Sequence, residues 1–177
     1  MKQNLLQVYQ EATDFTARDW YREAHGQIAQ IARSHGLDLV TVAGIVAALS
    51  PRIQWAGNIA AAVKLINGQS CQGTYSNVAK AKAILGGGHP LEVMSDRAQK
   101  TRNFFLNLYN PDHPTAVTVD TWAARAYFLD AKYGKSVRDR TYQVIAQAYR
   151  EASREVGLLP SEFQAIVWVA VRDGGVL

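Results

Sequence analysis

The chain has 177 residues, 48% hydrophobic and 19% charged, the composition of one globular domain rather than of a disordered segment. Its apolar runs at 42–49 and 165–171 fall well short of the ~20 residues a bilayer crossing needs, and Met1–Leu6 turns polar too soon for a signal peptide. A single cysteine, Cys71, excludes an internal disulfide and a cysteine-ligated cluster, while the formal charge of +4 tilts the expected partners toward nucleic acid or phosphorylated substrates. The expectation is a soluble, cytoplasmic protein without membrane contact.

Apolar positions recur with helical period nearly everywhere. Between Ala17 and His35, residues Trp20, Ala24, Ile28 and Ile31 fall on one stripe. Asp38 is placed to cap a second helix running to Leu49, apolar on most sides and therefore expected at the centre of the fold. Ser50-Pro51 stops it, because proline disfavours helical geometry in the residue before it. A third helix is expected over Gln54–Asn67, ended by Gly68, and a fourth from Ser76 or Asn77 to the triplet Gly86-Gly87-Gly88. Arg97–Tyr109 reads as a fifth, capped by Ser95 or Asp96, and Asn110–Pro114 as a loop. The β-branched run Thr115–Val119 is too short and isolated to require a sheet, so it is expected as an extended lead-in to a helix near Thr121. Two helices follow, at about 137–156 and 162–172, the second behind Pro160 with the capping-box pattern Ser161-Glu162-Phe163-Gln164. The fold class is therefore all-α, a single compact helical domain over 1–177.

Most familiar chemistries are missing from the pattern. The four histidines, His25, His35, His89 and His113, are scattered and make no zinc signature beside one cysteine, so no metal and no cofactor is expected. The glycine triplet ends a helix instead of opening one, which is the wrong side for a phosphate loop. Two residues stand out. Lys100 lies near the start of its helix in Ala98-Gln99-Lys100-Thr101-Arg102-Asn103, and Asp120 lies between an extended apolar segment and a helix in Val119-Asp120-Thr121-Trp122. An Asp there caps the helix through backbone N–H bonds, a role that would explain it by itself.

Together these segments resemble the helix-hairpin-helix DNA glycosylase superfamily, the group that contains endonuclease III. The Lys-Thr-x-Asn helix followed by Val-Asp-Thr matches in order, as do Ala47-Ala48-Leu49-Ser50 before a loop and Asn77-Val78-Ala79-Lys80-Ala81-Lys82-Ala83-Ile84. The similarity spans about 40–125, with N- and C-terminal helices expected to pack on that core. The chain departs from the family at the hairpin, where Val93–Gln99 has no glycine, and at Trp122, which replaces the usual histidine. These departures suit a divergent, phage-type member.

The resemblance implies an enzyme that flips a base from DNA and cleaves its N-glycosidic bond, with Asp120 as the essential carboxylate and Lys100 as the candidate Schiff-base amine of a strand-cleaving member. A fixed carboxylate beside the sugar stabilises the oxocarbenium charge that develops there. Arg52, Gln54 and Trp55 are placed to fill the gap left by the base, and Trp122, Gln164 and Trp168 are candidates to line its pocket. Gln164, Trp168 and Arg172 share one helix face. Ser95, Arg97 and Arg102 are the candidate phosphate contacts, and Tyr142, Arg138 and Arg140 are expected on the surface. Two rivals remain: a phage-type transferase acting on an activated pyrimidine in DNA, and a non-catalytic DNA-binding module in which Asp120 is only a helix cap.

Overall fold

A computed structural model describes residues 1–134 and 136–177. It is all-helical, with no strand among the described residues. Its backbone contacts divide it into two compact units, 24–109 and 1–23 with 110–177. The stretch that carries the family resemblance is therefore split, with 40–109 in one unit and 110–125 in the other. No single helix among the described residues is long and apolar enough to cross a membrane.

The 24–109 unit is organised around α3 (Leu39–Leu49), whose residues from Val42 to Leu49 are all buried. A helix apolar on every side must be covered on every side. Around it lie α4 (Trp55–Ile66), α5 (Tyr75–Leu85), a short α6 (Pro90–Val93) and α7 (Gln99–Tyr109). Two of the expected starts move. α5 begins at Tyr75 because Thr74 is its cap, its hydroxyl accepting from the Asn77 N–H at 3.3 Å. α7 begins at Gln99, two residues later than the periodicity suggests, because 95–98 is spent on a turn closed by the Ala98 N–H on the Ser95 carbonyl. The sequence pattern also passes over α6, which is a single turn. His89 caps it, Nδ1 accepting from the Leu91 N–H, and Pro90 opens it.

The other unit is organised around α10 (Pro160–Arg172), against which pack α1 (Lys2–Glu11), a 3-10 turn over Thr16–Asp19, α8 (Thr121–Phe128) and α9 (Asp139–Glu155). The last helix, α2 (Trp20–His35), is the element within which the division between units falls. Tyr142, Ile145, Tyr149 and Ala152 form the buried stripe of α9 at helical spacing, meeting Phe163 and Ile166 of α10 in one apolar cluster. Tyr142 is buried, not on the surface as expected, while Arg138 and Arg140 are exposed.

The start of α10 corrects the capping-box reading. The cap position is Leu159, and Glu162 reaches back to its N–H at 2.9 Å. Ser161, two positions inside the cap, donates instead to the Pro111 carbonyl at 2.9 Å. The other oxygen of Glu162 accepts from Arg22 at 2.8 Å and Arg18 at 3.3 Å. Burial pushes Glu162 up, but the Leu159 N–H and the two guanidiniums outweigh it and hold the carboxyl below its ordinary value of 4.5. A carboxyl depressed by folding stabilises above its unfolded value, and that contribution disappears as pH falls through the folded one. Glu162→Gln is therefore expected to cost about 1–3 kcal/mol at pH 7, with the gap to wild type narrowing below pH 4.5. Urea melts at pH 7 and pH 3.5 check this, and a gap independent of pH contradicts it.

Candidate active site

Asp120 sits where an extended segment turns into α8. The segment exists because Ala116–Val119 is buried and its backbone must find partners away from water. Tyr142 supplies two of them, its hydroxyl donating to the Val117 carbonyl at 2.7 Å and accepting from the Val119 N–H at 3.2 Å. Asp120 follows with φ −109° and ψ −169°, the extended geometry of an N-cap. Its Oδ1 accepts from the Ala123 N–H at 2.9 Å. Its Oδ2 accepts from the indole Nε1–H of Trp168 on α10 at 3.1 Å. Both oxygens are thus anchored on a partly buried side chain.

Two tryptophan–arginine stacks accompany it. The Arg172 guanidinium lies 4.5 Å from the Trp168 ring centre, and the Arg125 guanidinium 4.2 Å from that of Trp122. Arg125 also donates to the Tyr133 carbonyl at 3.0 Å, which fixes its plane. Under α8, the buried Tyr149 donates to the Ala123 carbonyl at 3.2 Å. Burial first, and the Asp120 charge second, push its phenol well above its ordinary value, so it stays a donor. Chemically the cluster is a fixed carboxylate beside two tryptophans, each with a guanidinium stacked on its ring.

The remaining candidates fall in different places. Gln164 is buried at 4% exposure and its Oε1 accepts from the Tyr21 hydroxyl at 2.8 Å, so its amide is used inside the core. In the 24–109 unit, Lys100 is exposed on the first turn of α7, and Ser95 and Arg97 are exposed just before it. Arg102 turns inward: it donates to the Leu91 carbonyl, to the Met94 carbonyl at 2.7 Å, and pairs with Asp96 at 3.2 Å. It thereby finishes the end of α6, which a phosphate would have to compete with.

Arg52, Gln54 and Trp55 lie on the connection from α3 to α4. The Ile53 N–H closes a turn on the Ser50 carbonyl at 3.2 Å, with Pro51 in second place and Arg52 in third. Arg52 has φ +67°, a position that turns with this layout usually give to glycine. An exposed arginine there stores about 1 kcal/mol of strain. Gln54 is the exposed cap position of α4, and Trp55 donates its indole N–H to Gln27 at 3.0 Å.

The histidines have structural partners. His25 bonds the Leu108 carbonyl, His35 that of Ile31, and Nδ1 of His113 accepts from Thr115 and Ala116. Among the described residues no group of three or more His, Cys, Asp or Glu could hold a metal ion.

Sequence reasoning missed Tyr142 and Tyr149, which set the approach to Asp120 and the peptide behind it. Their seven-residue spacing on the apolar face of α9 was the available signal. Among known families, one family model matches the chain over residues 1–175, a family of unknown function (DUF7178). No curated protein and no solved structure matches it.

Proposed function

We propose that this chain, which belongs to the DUF7178 family, acts on a nucleobase in DNA as a glycosylase of the helix-hairpin-helix type. The observation that carries the reading is the Asp120 carboxylate, held through both oxygens at the start of α8 with Trp168 against it. A carboxylate that cannot rotate away is what an oxocarbenium-like transition state requires, since the stabilising charge must already be in place when the sugar charge develops. The flanking guanidiniums and the net charge of +4 suit a polyanionic substrate. The strained, exposed Arg52 suits the role of a side chain that probes the duplex.

In this mechanism the target nucleotide leaves the stack, Asp120 stabilises the developing sugar cation, and water adds to the anomeric carbon as the base departs. Asp120 takes a proton from that water, while the base leaves with the electron pair of the broken C–N bond and is protonated from solvent. Lys100 is placed outside the bond-breaking step. A Schiff-base lysine must lose its proton before attack, usually through burial or an adjoining cation, and Lys100 is exposed. Lys100→Gln is therefore expected to keep base release within a few-fold of wild type, and neither protein is expected to give a borohydride-trapped DNA adduct. Trapping by wild type that vanishes in Lys100→Gln contradicts this and makes the enzyme a lyase.

The direct test of the reading is base release from DNA carrying uracil, alkylated, oxidised or hydroxymethylated bases, compared between wild type and Asp120→Asn. Mass gained on an intact base would move the assignment to a base-modifying transferase. DNA binding without chemistry would leave a binding module.

A further inference from the structure

Resting on the reading just given, we propose that Trp168 is the positioning residue of Asp120 and does not form a wall of the base pocket. A helix cap needs one carboxylate oxygen, and the Ala123 N–H already takes Oδ1 at 2.9 Å. With Oδ2 free, the carboxylate plane would be open to rotation about χ2, a broad torsion. The Trp168 indole removes that freedom from a separate helix, 48 residues on in the chain, at 3.1 Å. An indole N–H only donates, so it can hold a carboxylate but cannot take a proton from it or compete as a base.

Arg172 sits one turn beyond Trp168 on α10, with its guanidinium 4.5 Å from the ring centre. A cation over the ring draws electron density from it and makes the N–H a stronger donor. On the other side, Tyr149 donates to the Ala123 carbonyl at 3.2 Å, on the peptide that follows the one whose N–H holds Asp120. Asp120 is thus held between two supports, α8 through Ala123 and α10 through Trp168. The shared face of Gln164, Trp168 and Arg172 acquires a graded meaning: Gln164 is tied to Tyr21 in the core, Trp168 to the carboxylate, and Arg172 to the indole.

The test pairs two readouts. Trp168→Phe keeps the ring and loses the N–H, and is expected to lower kcat for base release about tenfold, the equivalent of one hydrogen bond to a charged group, with KM within twofold. Arg172→Gln, which leaves the indole in place, is expected to shift kcat the same way by a smaller factor. A thermal melt of each variant shows that it is folded. Independently of activity, the four tryptophans give separate indole N–H resonances. The resonance lost in Trp168→Phe is expected to move upfield in Asp120→Asn at constant pH, since the one amide oxygen stays on the Ala123 N–H and the NH2 left facing the indole cannot accept. A Trp168 resonance indifferent to Asp120→Asn overturns the proposal, as does a Trp168→Phe variant whose KM rises with kcat unchanged. If the resonance moves while Asp120→Asn still releases base at the wild-type rate, the pairing stands and the glycosylase reading falls.

Discussion

Asp120→Asn is expected to reduce base release by about 10²- to 10⁴-fold with little change in folding or in DNA affinity. The substitution is informative because asparagine caps helices about as well as aspartate. Its side-chain oxygen can still accept from the Ala123 N–H, so α8 keeps its start. What changes is charge. A neutral amide neither stabilises a sugar cation nor takes a proton from water. A cap-only role for Asp120 predicts the opposite pattern, with activity and stability both near wild type. Circular dichroism melts, DNA binding by fluorescence anisotropy and base release on the same preparations separate the two.

Gly44→Ala is expected to destabilise the protein by about 1–3 kcal/mol, lowering the melting temperature by roughly 2–12 °C for a chain of this size. Helix propensity alone predicts the reverse, a gain of about 1 kcal/mol for replacing a helical glycine. Space decides the sign. A Cβ on Gly44 would lie 2.4 Å from Cγ and 2.9 Å from Cβ of Pro90, and 3.2 Å from Ile84 Cγ2. The proline ring has no rotamer that moves it aside, so α6 itself must shift off α3. That shift would pull on the Leu91 and Met94 carbonyls, to which Arg102 donates. Gly26→Ala is the control: its added Cβ meets nothing within 4 Å, so only the propensity gain is left. Melting both variants side by side checks the reasoning, and a stabilised Gly44→Ala contradicts it.

Gly44 also shows what a sequence can and cannot reveal here. Periodicity located α3, α4, α8 and the last two helices because it is a local property, and α3 could be placed at the centre because eight successive buried residues leave no polar face. Capping chemistry was less legible. Ser161 and Gln164 match a capping box in spacing, yet the cap lies two residues earlier, at Leu159, where only the reverse half of a box forms, from the Leu159 N–H to Glu162. Pro160 settles the choice, since it takes the first helical position and makes Leu159 the cap. Partners distant in the chain left no local trace at all. Arg102 reads as a phosphate contact until the end of α6 is seen to need it, and Gln164 reads as pocket lining until Tyr21 is found beside it.

The same limit shaped the candidate site. Asp120 was identifiable because its role as a cap lies within four residues of chain, and Trp122 because it follows on the same helix, while the stacking of Arg125 on Trp122 was not anticipated. Trp168 was identifiable only as one residue of a helix face. Its bond to Asp120 spans 48 residues and depends on how α10 packs against α8, which no spacing encodes. Tyr142 was expected on the surface and Tyr149 was not singled out, because their hydroxyls, which hold Val117, Val119 and Ala123, act across the core.

The central claim is that Asp120 breaks a glycosidic bond, and mass spectrometry on DNA incubated with the protein tests it most directly. Duplex and single-stranded oligonucleotides carrying uracil, alkylated, oxidised and hydroxymethylated bases form the substrate panel. A free base from at least one of them with wild type, and about 10²- to 10⁴-fold less with Asp120→Asn, is the predicted result. Equal release by both proteins, or mass added to a base that stays attached, contradicts it.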